Sequence, residues 1–215
     1  MSKTPRIFDG YHGDKITSFK KMFDAGIVLG IFKTSQGLAF TDPKFKEYSK
    51  GAKSVGMHVG AYHFGGAGDG TRQAKRFLSL IEPGTLMVLD IERYEPSQMS
   101  LAQAEEFVLE VYKRTGVYVV LYYGEWLLEQ EKLGKISDKS ILRNCKAWVS
   151  RYSDKQPETI KGHDLVMWQF TGDGQGPQPH KIAGCSNNAD LNYWIGNETD
   201  IPRFVKKYSL PEAKV

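Results

Sequence analysis

Short aliphatic and β-branched runs alternate along this chain with stretches whose apolar residues recur at helical spacing. That alternation predicts parallel βα units. Arg6-Ile7-Phe8-Asp9 reads as a first strand ending in a carboxylate, and residues 16–25 carry Phe19, Met22 and Phe23 on one helical face, closed by Gly26. A second strand covers 27–32 and ends at Lys33; a helix follows over 44–54, closed by Gly56. The third strand, 58–64, runs into a glycine-rich loop at 65–70, after which Thr71 is the expected cap of a helix reaching about Ile81.

Residues 85–90 are almost uninterruptedly apolar, as a strand covered on both faces should be. Ser100 with Gln103 forms a capping-box pattern for a helix over 101–114. A fifth strand over 118–122 leads to a helix from about Glu125. Shorter strands are expected at 147–149, 165–169 and 189–192, with a Gly/Pro/Gln-rich surface loop at 172–184 and a terminal helix from Asp200. Five βα units followed by looser strands predict a closed or nearly closed parallel barrel. In a barrel the functional residues belong at the C-terminal ends of the strands, and Asp9, Lys33, His63, Asp90, Glu92 and Asp190 all fall there.

The chain has 215 residues, which suits a single domain over 1–215 with a core over about 5–208. Apolar residues make up 40% of it and are spread throughout, enough to bury a sizeable core. No run approaches the ~20 apolar residues of a membrane span, so membrane insertion is not expected. The basic start, Met1 to Arg6, lacks the apolar segment of a signal peptide. Any export is therefore expected to use a route this chain does not encode. The net charge of +4 is scattered, with no basic stripe or arm; this argues against nucleic acid and suits an anionic polymer such as a bacterial wall. A monomer is expected.

Cofactors and metals find little support. Two cysteines, Cys145 and Cys185, are too few for a disulfide framework or a Cys-based metal site, and reduced thiols are expected. The five histidines include no H-E-x-x-H, and no G-x-S-x-G elbow occurs. The loop Gly65 to Gly70 is followed by Thr71-Arg72, not the Lys-Ser/Thr of a phosphate loop.

The sharpest chemistry is Leu89-Asp90-Ile91-Glu92. Two carboxylates at i and i+2 of a strand face the same way, roughly 6.6 Å apart along it. In a closed interior they repel and are desolvated, so one pKa rises while the other group stays ionised. Glycoside cleavage needs that division between a proton donor and an anion. Tyr62, Tyr122, Tyr123, Trp148, Tyr152 and Trp168 also lie at or just past predicted strands, where aromatic faces can stack on sugar rings. A strand end simply reaching solvent is the competing account of the Asp-x-Glu pair; the convergence of acids and aromatics favours a sugar site.

These pieces, in order, resemble the glycoside hydrolase family 25 lysozymes. The resemblance runs from Phe8-Asp9-Gly10 through Phe32-Lys33-Thr34-Ser35-Gln36-Gly37, Thr41-Asp42-Pro43, Gly60-Ala61-Tyr62-His63-Phe64 and Leu89-Asp90-Ile91-Glu92. It continues through Leu121-Tyr122-Tyr123-Gly124, Ala147-Trp148-Val149-Ser150-Arg151-Tyr152 and Met167-Trp168-Gln169-Phe170 to Asp190-Leu191-Asn192. It implies a single (β/α)5(β)3 barrel that cuts the β-1,4 bond after N-acetylmuramic acid in bacterial peptidoglycan, with no cofactor. It also implies Glu92 as general acid/base, Asp90 as helper of a substrate acetamido nucleophile, and Asp9 and Asp190 as the remaining acids of the site. Lys33, Tyr62, Tyr122, Trp148, Tyr152 and Trp168 are the expected substrate-binding residues. Family members commonly carry Asp-x-Ser and a longer stretch where this chain reads Asp9-Gly10-Tyr11-His12-Gly13, so the first loop is shortened or rearranged. A non-cutting wall-binding barrel and a glycosidase of another N-acetylated amino sugar polymer such as chitin are the alternatives. With no signal peptide and no separate wall-binding domain expected, the resemblance implies synthesis in the cytoplasm and action on the wall or periplasm after release or injection, as for a phage lysin or a secreted effector. A holin, secretion machinery or an immunity protein is not readable from the residues.

Overall fold

A computed structural model describes residues 4–212; Met1–Lys3 of the basic start and the last three residues of the 1–215 expectation lie outside them. Eight strands close into a barrel. In chain order they are β1 (Ile7–Gly10), β2 (Leu29–Gln36), β4 (His58–Phe64), β5 (Leu86–Ile91), β6 (Val120–Tyr123), β7 (Lys146–Ser150), β8 (Leu165–Thr171) and β9 (Asp190–Trp194). A ninth, β3 (Phe40–Thr41), folds back antiparallel on the end of β2. The order around the sheet is β1-β9-β8-β7-β6-β5-β4-β2, and β1 pairs with β2 to close the ring.

Helices α1 (Phe19–Asp24), α2 (Phe45–Ser54), α3 (Gly70–Leu80), α4 (Leu101–Thr115) and α5 (Glu125–Lys132) follow the first five barrel strands. No α-helix follows β7 or β8, and the one after β9 packs at the end of the barrel rather than on its side, so the expected (β/α)5(β)3 arrangement is observed. The strands from β1 through β2 and β4 to β8 run parallel, while β9 is antiparallel to both β8 and β1.

The two-residue alternation of each strand sorts the core into two layers. Ile7, Leu29, Ile31, Leu86, Val88, Val120, Trp148 and Met167 fill the barrel interior. Phe8, Phe32, Met87, Leu89, Ile91, Leu121, Val149 and Trp168 point outward into the shell packed by the helices. The terminal helix α6 (Ile201–Tyr208) presses Ile201, Val205 and Tyr208 against the interior set. An isolated bridge from Ser209 to Leu86, at the start of β5, places α6 under the N-terminal end of the barrel. The opposite, C-terminal end is left for the site.

Local chemistry explains the helix starts. Ser100 and Gln103 form the reciprocal capping box over α4, as expected. The expected Thr71 cap is corrected: Asp69 caps α3, accepting from the Arg72 backbone N–H at 2.9 Å. Its carboxylate reaches the third backbone donor of the turn, which places Thr71 inside the helix. Gly70 is required where α3 meets α4, because a Cβ there would sit 2.0 Å from the Gln103 carbonyl oxygen. Both cysteines are free and buried. Among the described residues no helix is long and apolar enough to cross a membrane.

Candidate active site

The strand alternation that buries Ile7, Val88 and Met167 continues one step further and turns polar. Asp9, Lys33, Tyr62, Asp90, Tyr122, Trp148, Gln169 and Asp190 all line one cavity of about 500 Å³ at the C-terminal mouth, joined there by Glu92 just beyond β5. Asp9 and Asp90 are buried; Glu92 and Asp190 are half-buried.

Asp9 and Asp190 lie directly opposite each other across the antiparallel β1–β9 pair. The Gln169 Nε2 bridges them, donating to both Asp9 oxygens at 3.2 Å and to Asp190 Oδ2 at 3.3 Å. Asn192 Nδ2 adds a bond of 2.7 Å to Asp9 Oδ1, and its own oxygen accepts from Trp148 Nε1 at 2.6 Å. Asp190 also accepts from the Asp173 backbone N–H at 3.0 Å. Asp173 has a φ of +52°, a left-handed turn that brings the 172–184 loop to the cavity mouth.

Burial sets the electrostatics of this cluster. It pushes Asp9 well above the usual carboxylate range, with Asp190 adding to the effect and the Asn192 and Gln169 amides opposing it. Asp190 is pushed up to about 7, chiefly by burial, and the bond from Asp173 opposes this. Asp90 is raised by burial and by Glu92, while the Lys33 ammonium holds it down. Glu92 is raised mainly by burial. Among the described residues no donor reaches the buried Asp90 Oδ1. A buried carboxylate oxygen without a donor is costly unless a ligand supplies one. The cavity therefore sets a carboxyl raised by burial, Glu92, beside a buried oxygen that lacks a donor, Asp90 Oδ1.

The family model described as Glycosyl hydrolases family 25 matches residues 8–178. The chain belongs to this family. It is 23% identical over 185 residues to an autolytic lysozyme of Clostridium acetobutylicum, covering 86% of this chain and 54% of that one. It is 27% identical over 195 residues to the uncharacterised protein YegX of Escherichia coli O157:H7, covering 86% of this chain and 66% of that one. The chain thus spans about half to two thirds of the length of these relatives. Its fold matches the crystal structure of a bacterial lysozyme from Streptomyces coelicolor with a TM-score of 0.79, at 24% identity, over 93% of this chain and 95% of that one.

Most of the residues singled out from sequence meet in the cavity of this family 25 chain: Asp9, Lys33, Tyr62, Asp90, Glu92, Tyr122, Trp148, Tyr152 and Asp190. Trp168 does not. It is one residue out of phase with the inward-facing Met167 and Gln169, and packs in the outer shell against Phe170 and Tyr193. Its Nε1 donates to the Arg151 carbonyl at 2.8 Å. Tyr123 faces outward for the same reason, toward His163.

His63 is likewise outward-facing. It is buried with its ring nitrogens 2.8 Å from Ser35 Oγ and 3.0 Å from Gln73 Oε1, and burial pushes it down to about 4. It ties β4 to β2 and α3 rather than facing the acids.

Sequence reasoning passed over Gln169, Asn192, Tyr11, Phe64, Tyr94 and Asp173. Gln169 was readable as the residue two beyond Met167 on the interior face. The first loop, expected to be shortened or rearranged, holds a tight turn in which Asp14 accepts from the Tyr11 backbone at 2.8 Å, and it sets Tyr11 at the cavity rim. Lys33 bonds Gln36 at 2.7 Å and lies 4.6 Å from the Phe64 ring centroid, between the aromatic rim and the acids.

Proposed function

We propose that this chain is a muramidase, cutting the β-1,4 bond between N-acetylmuramic acid and N-acetylglucosamine in peptidoglycan by a substrate-assisted route. The observation that carries this reading is the buried, donorless Asp90 Oδ1 in the same cavity as the half-buried Glu92. Membership of glycosyl hydrolase family 25 and the likeness to an autolytic lysozyme support it.

In this mechanism the acetamido N–H of the muramoyl sugar donates to Asp90 Oδ1. That bond holds the acetamido group in place and makes its carbonyl oxygen a better nucleophile toward the anomeric carbon. As that C–O bond forms, the glycosidic bond breaks and Glu92 transfers its proton to the departing oxygen. Burial raises Glu92 toward the protonated form that this step uses, and Lys33 opposes the larger rise that burial and Glu92 impose on Asp90. The resulting cyclic oxazolinium is opened by water, whose proton returns to Glu92. The two displacements leave the anomeric configuration unchanged and involve no covalent bond to the protein, one of the recognised departures from the two-carboxylate scheme.

The test is digestion of purified peptidoglycan with identification of the new reducing ends by mass spectrometry. Muramic acid at those ends is expected; N-acetylglucosamine there would overturn the assignment. Glu92→Gln should lose activity by at least ~10²-fold, the low end for a general acid, with an unchanged circular-dichroism spectrum. Full turnover in that variant would remove Glu92 from its role.

A further inference from the structure

Glu92 and Tyr152 stand at a junction. They line the acid cavity, and they also line a second hollow of about 690 Å³ formed at the ends of β6 and β7 and the start of α5. A general acid must lie against the glycosidic oxygen, so one sugar extends to each side of it. The buried Asp9 and Asp90 are confined to the first cavity, which therefore takes the sugar that is attacked. The second hollow lies on the departing side of Glu92.

The charges of that hollow are unevenly committed. Arg93 pairs with Glu129 at 3.2 Å. Glu125 lies in the first turn of α5, where a carboxylate is favoured by the helix dipole. Arg151 is different. Its backbone is fixed, the N–H donating to the Gln169 carbonyl at 3.0 Å and the carbonyl accepting from Trp168 at 2.8 Å. Its side chain is exposed, and among the described residues its guanidinium has neither an ion pair nor a hydrogen bond. Gln169, which anchors the Arg151 backbone, is the residue that bridges Asp9 and Asp190 through its side chain. The arginine is thus built onto the frame of the acid site, with its donor fork left over.

We propose that this hollow is the leaving-side subsite and that Arg151 binds a carboxylate of the peptide stem on the substrate's leaving side. The inference rests on the muramidase reading. The glycan backbone is neutral at its N-acetylglucosamine units, and the first anions beyond the cut bond belong to the stem of the next muramoyl sugar. A planar guanidinium matches a carboxylate with two parallel hydrogen bonds, a geometry that an ammonium cannot reproduce. Trp126, half-buried against the core and also lining the hollow, supplies an aromatic surface for the uncharged sugar between.

The experiment compares two polymers: peptidoglycan carrying its stem carboxylates, and the same peptidoglycan after their conversion to amides, which removes the charge and exposes no new one. Reducing-end release is measured with the full chain and with Arg151→Ala and Arg151→Lys. Arg151→Ala is expected to raise KM on the native polymer roughly tenfold more than on the amidated one, the scale of one charge-assisted pair. Arg151→Lys should recover only part of that difference. Equal losses on the two polymers would overturn the proposal in favour of a structural role for Arg151, and so would no loss on either. If the wild-type chain released reducing ends from neither polymer, the muramidase reading would fall and the subsite with it, an outcome distinct from an intact enzyme indifferent to its stems.

Discussion

Tyr122 commits its only hydroxyl proton to Gln169, 2.7 Å away. The Gln169 amide is orientated by two carboxylates on its other end, so its oxygen must face the tyrosine. The same hydroxyl bears on Glu92 and holds that carboxyl down against the rise that burial imposes. Gln169 and Glu92 therefore compete for one proton, and Gln169 has the 2.7 Å contact. In Gln169→Leu the tyrosine is free to turn to Glu92, and the Glu92 pKa falls. The alkaline limb of the kcat/KM profile should then move to lower pH, because the acid form is lost earlier. Stability should fall by about 1–3 kcal/mol, since Asp9 loses its bridge in a buried place. A pH–rate profile with an unmoved alkaline limb would show that Tyr122 has no hold on Glu92.

Lys33 acts on the other limb. Its ammonium opposes the rise that burial and Glu92 impose on Asp90. Lys33→Met keeps much of the stem beside Phe64 and deletes the charge. The Asp90 pKa should rise, and because the proposed mechanism needs Asp90 ionised, the acidic limb of kcat/KM should shift to higher pH. The same profile in 1 M salt should differ little, as half-buried charges are weakly screened.

Asp190 links the site to stability. Its carboxyl is pushed up to about 7 in the folded chain, against about 3.9 for an ordinary aspartate. A carboxyl raised in the folded state binds more protons there than in the unfolded chain between those two values. Stability from this group is thus complete below about pH 4 and is lost as pH rises toward 7. Asp190→Asn removes that dependence while keeping one acceptor for the Asp173 N–H. At pH 8 the variant should melt at least roughly 2–4 °C higher than the wild type, corresponding to about 1 kcal/mol in a chain of this size. It should do so while losing activity. Thermal melts of both proteins from pH 4 to 8 test this directly, and parallel curves would rule it out.

Trp168 separates packing from catalysis. It is 3% exposed and bonded to the Arg151 carbonyl, outside the acid cavity. Trp168→Phe should lower stability by about 1–3 kcal/mol through lost volume and a lost hydrogen bond. Both limbs of the pH–rate profile should stay where they are. A shifted limb would mean that the indole reaches the acids through the chain.

Much of the fold was legible because a two-residue alternation and a helical period are strong signals when one face is buried. The strand ending at Asp90 declared itself by its apolar run, and the acids declared themselves by standing where such runs stop. What was not legible depended on parity or on neutral polar groups. Trp168 drew attention as an aromatic in a motif, although the count from Met167 puts Gln169 on the interior face. His63 stands at a strand end yet faces the helices, one residue past the inward Tyr62. Gln169 and Asn192 carry no charge and fit no motif; only the three-dimensional closure shows that they organise Asp9. The two-residue strand β3 is exposed, and its pairing rests on the end of β2 rather than on any periodic pattern.

The antiparallel insertion of β9 between β8 and β1 has a consequence for the order of events during synthesis. Asp9 is made well before its partner Asp190 and its amide donor Asn192, which lies 183 positions further on. Until that last strand slots in, the ring is open, and Asp9 lacks both its amide donor and the Asp190 charge that helps to raise it. Closure of the acid cluster is therefore the last step in assembling the barrel, and a chain that stops short of β9 cannot build it.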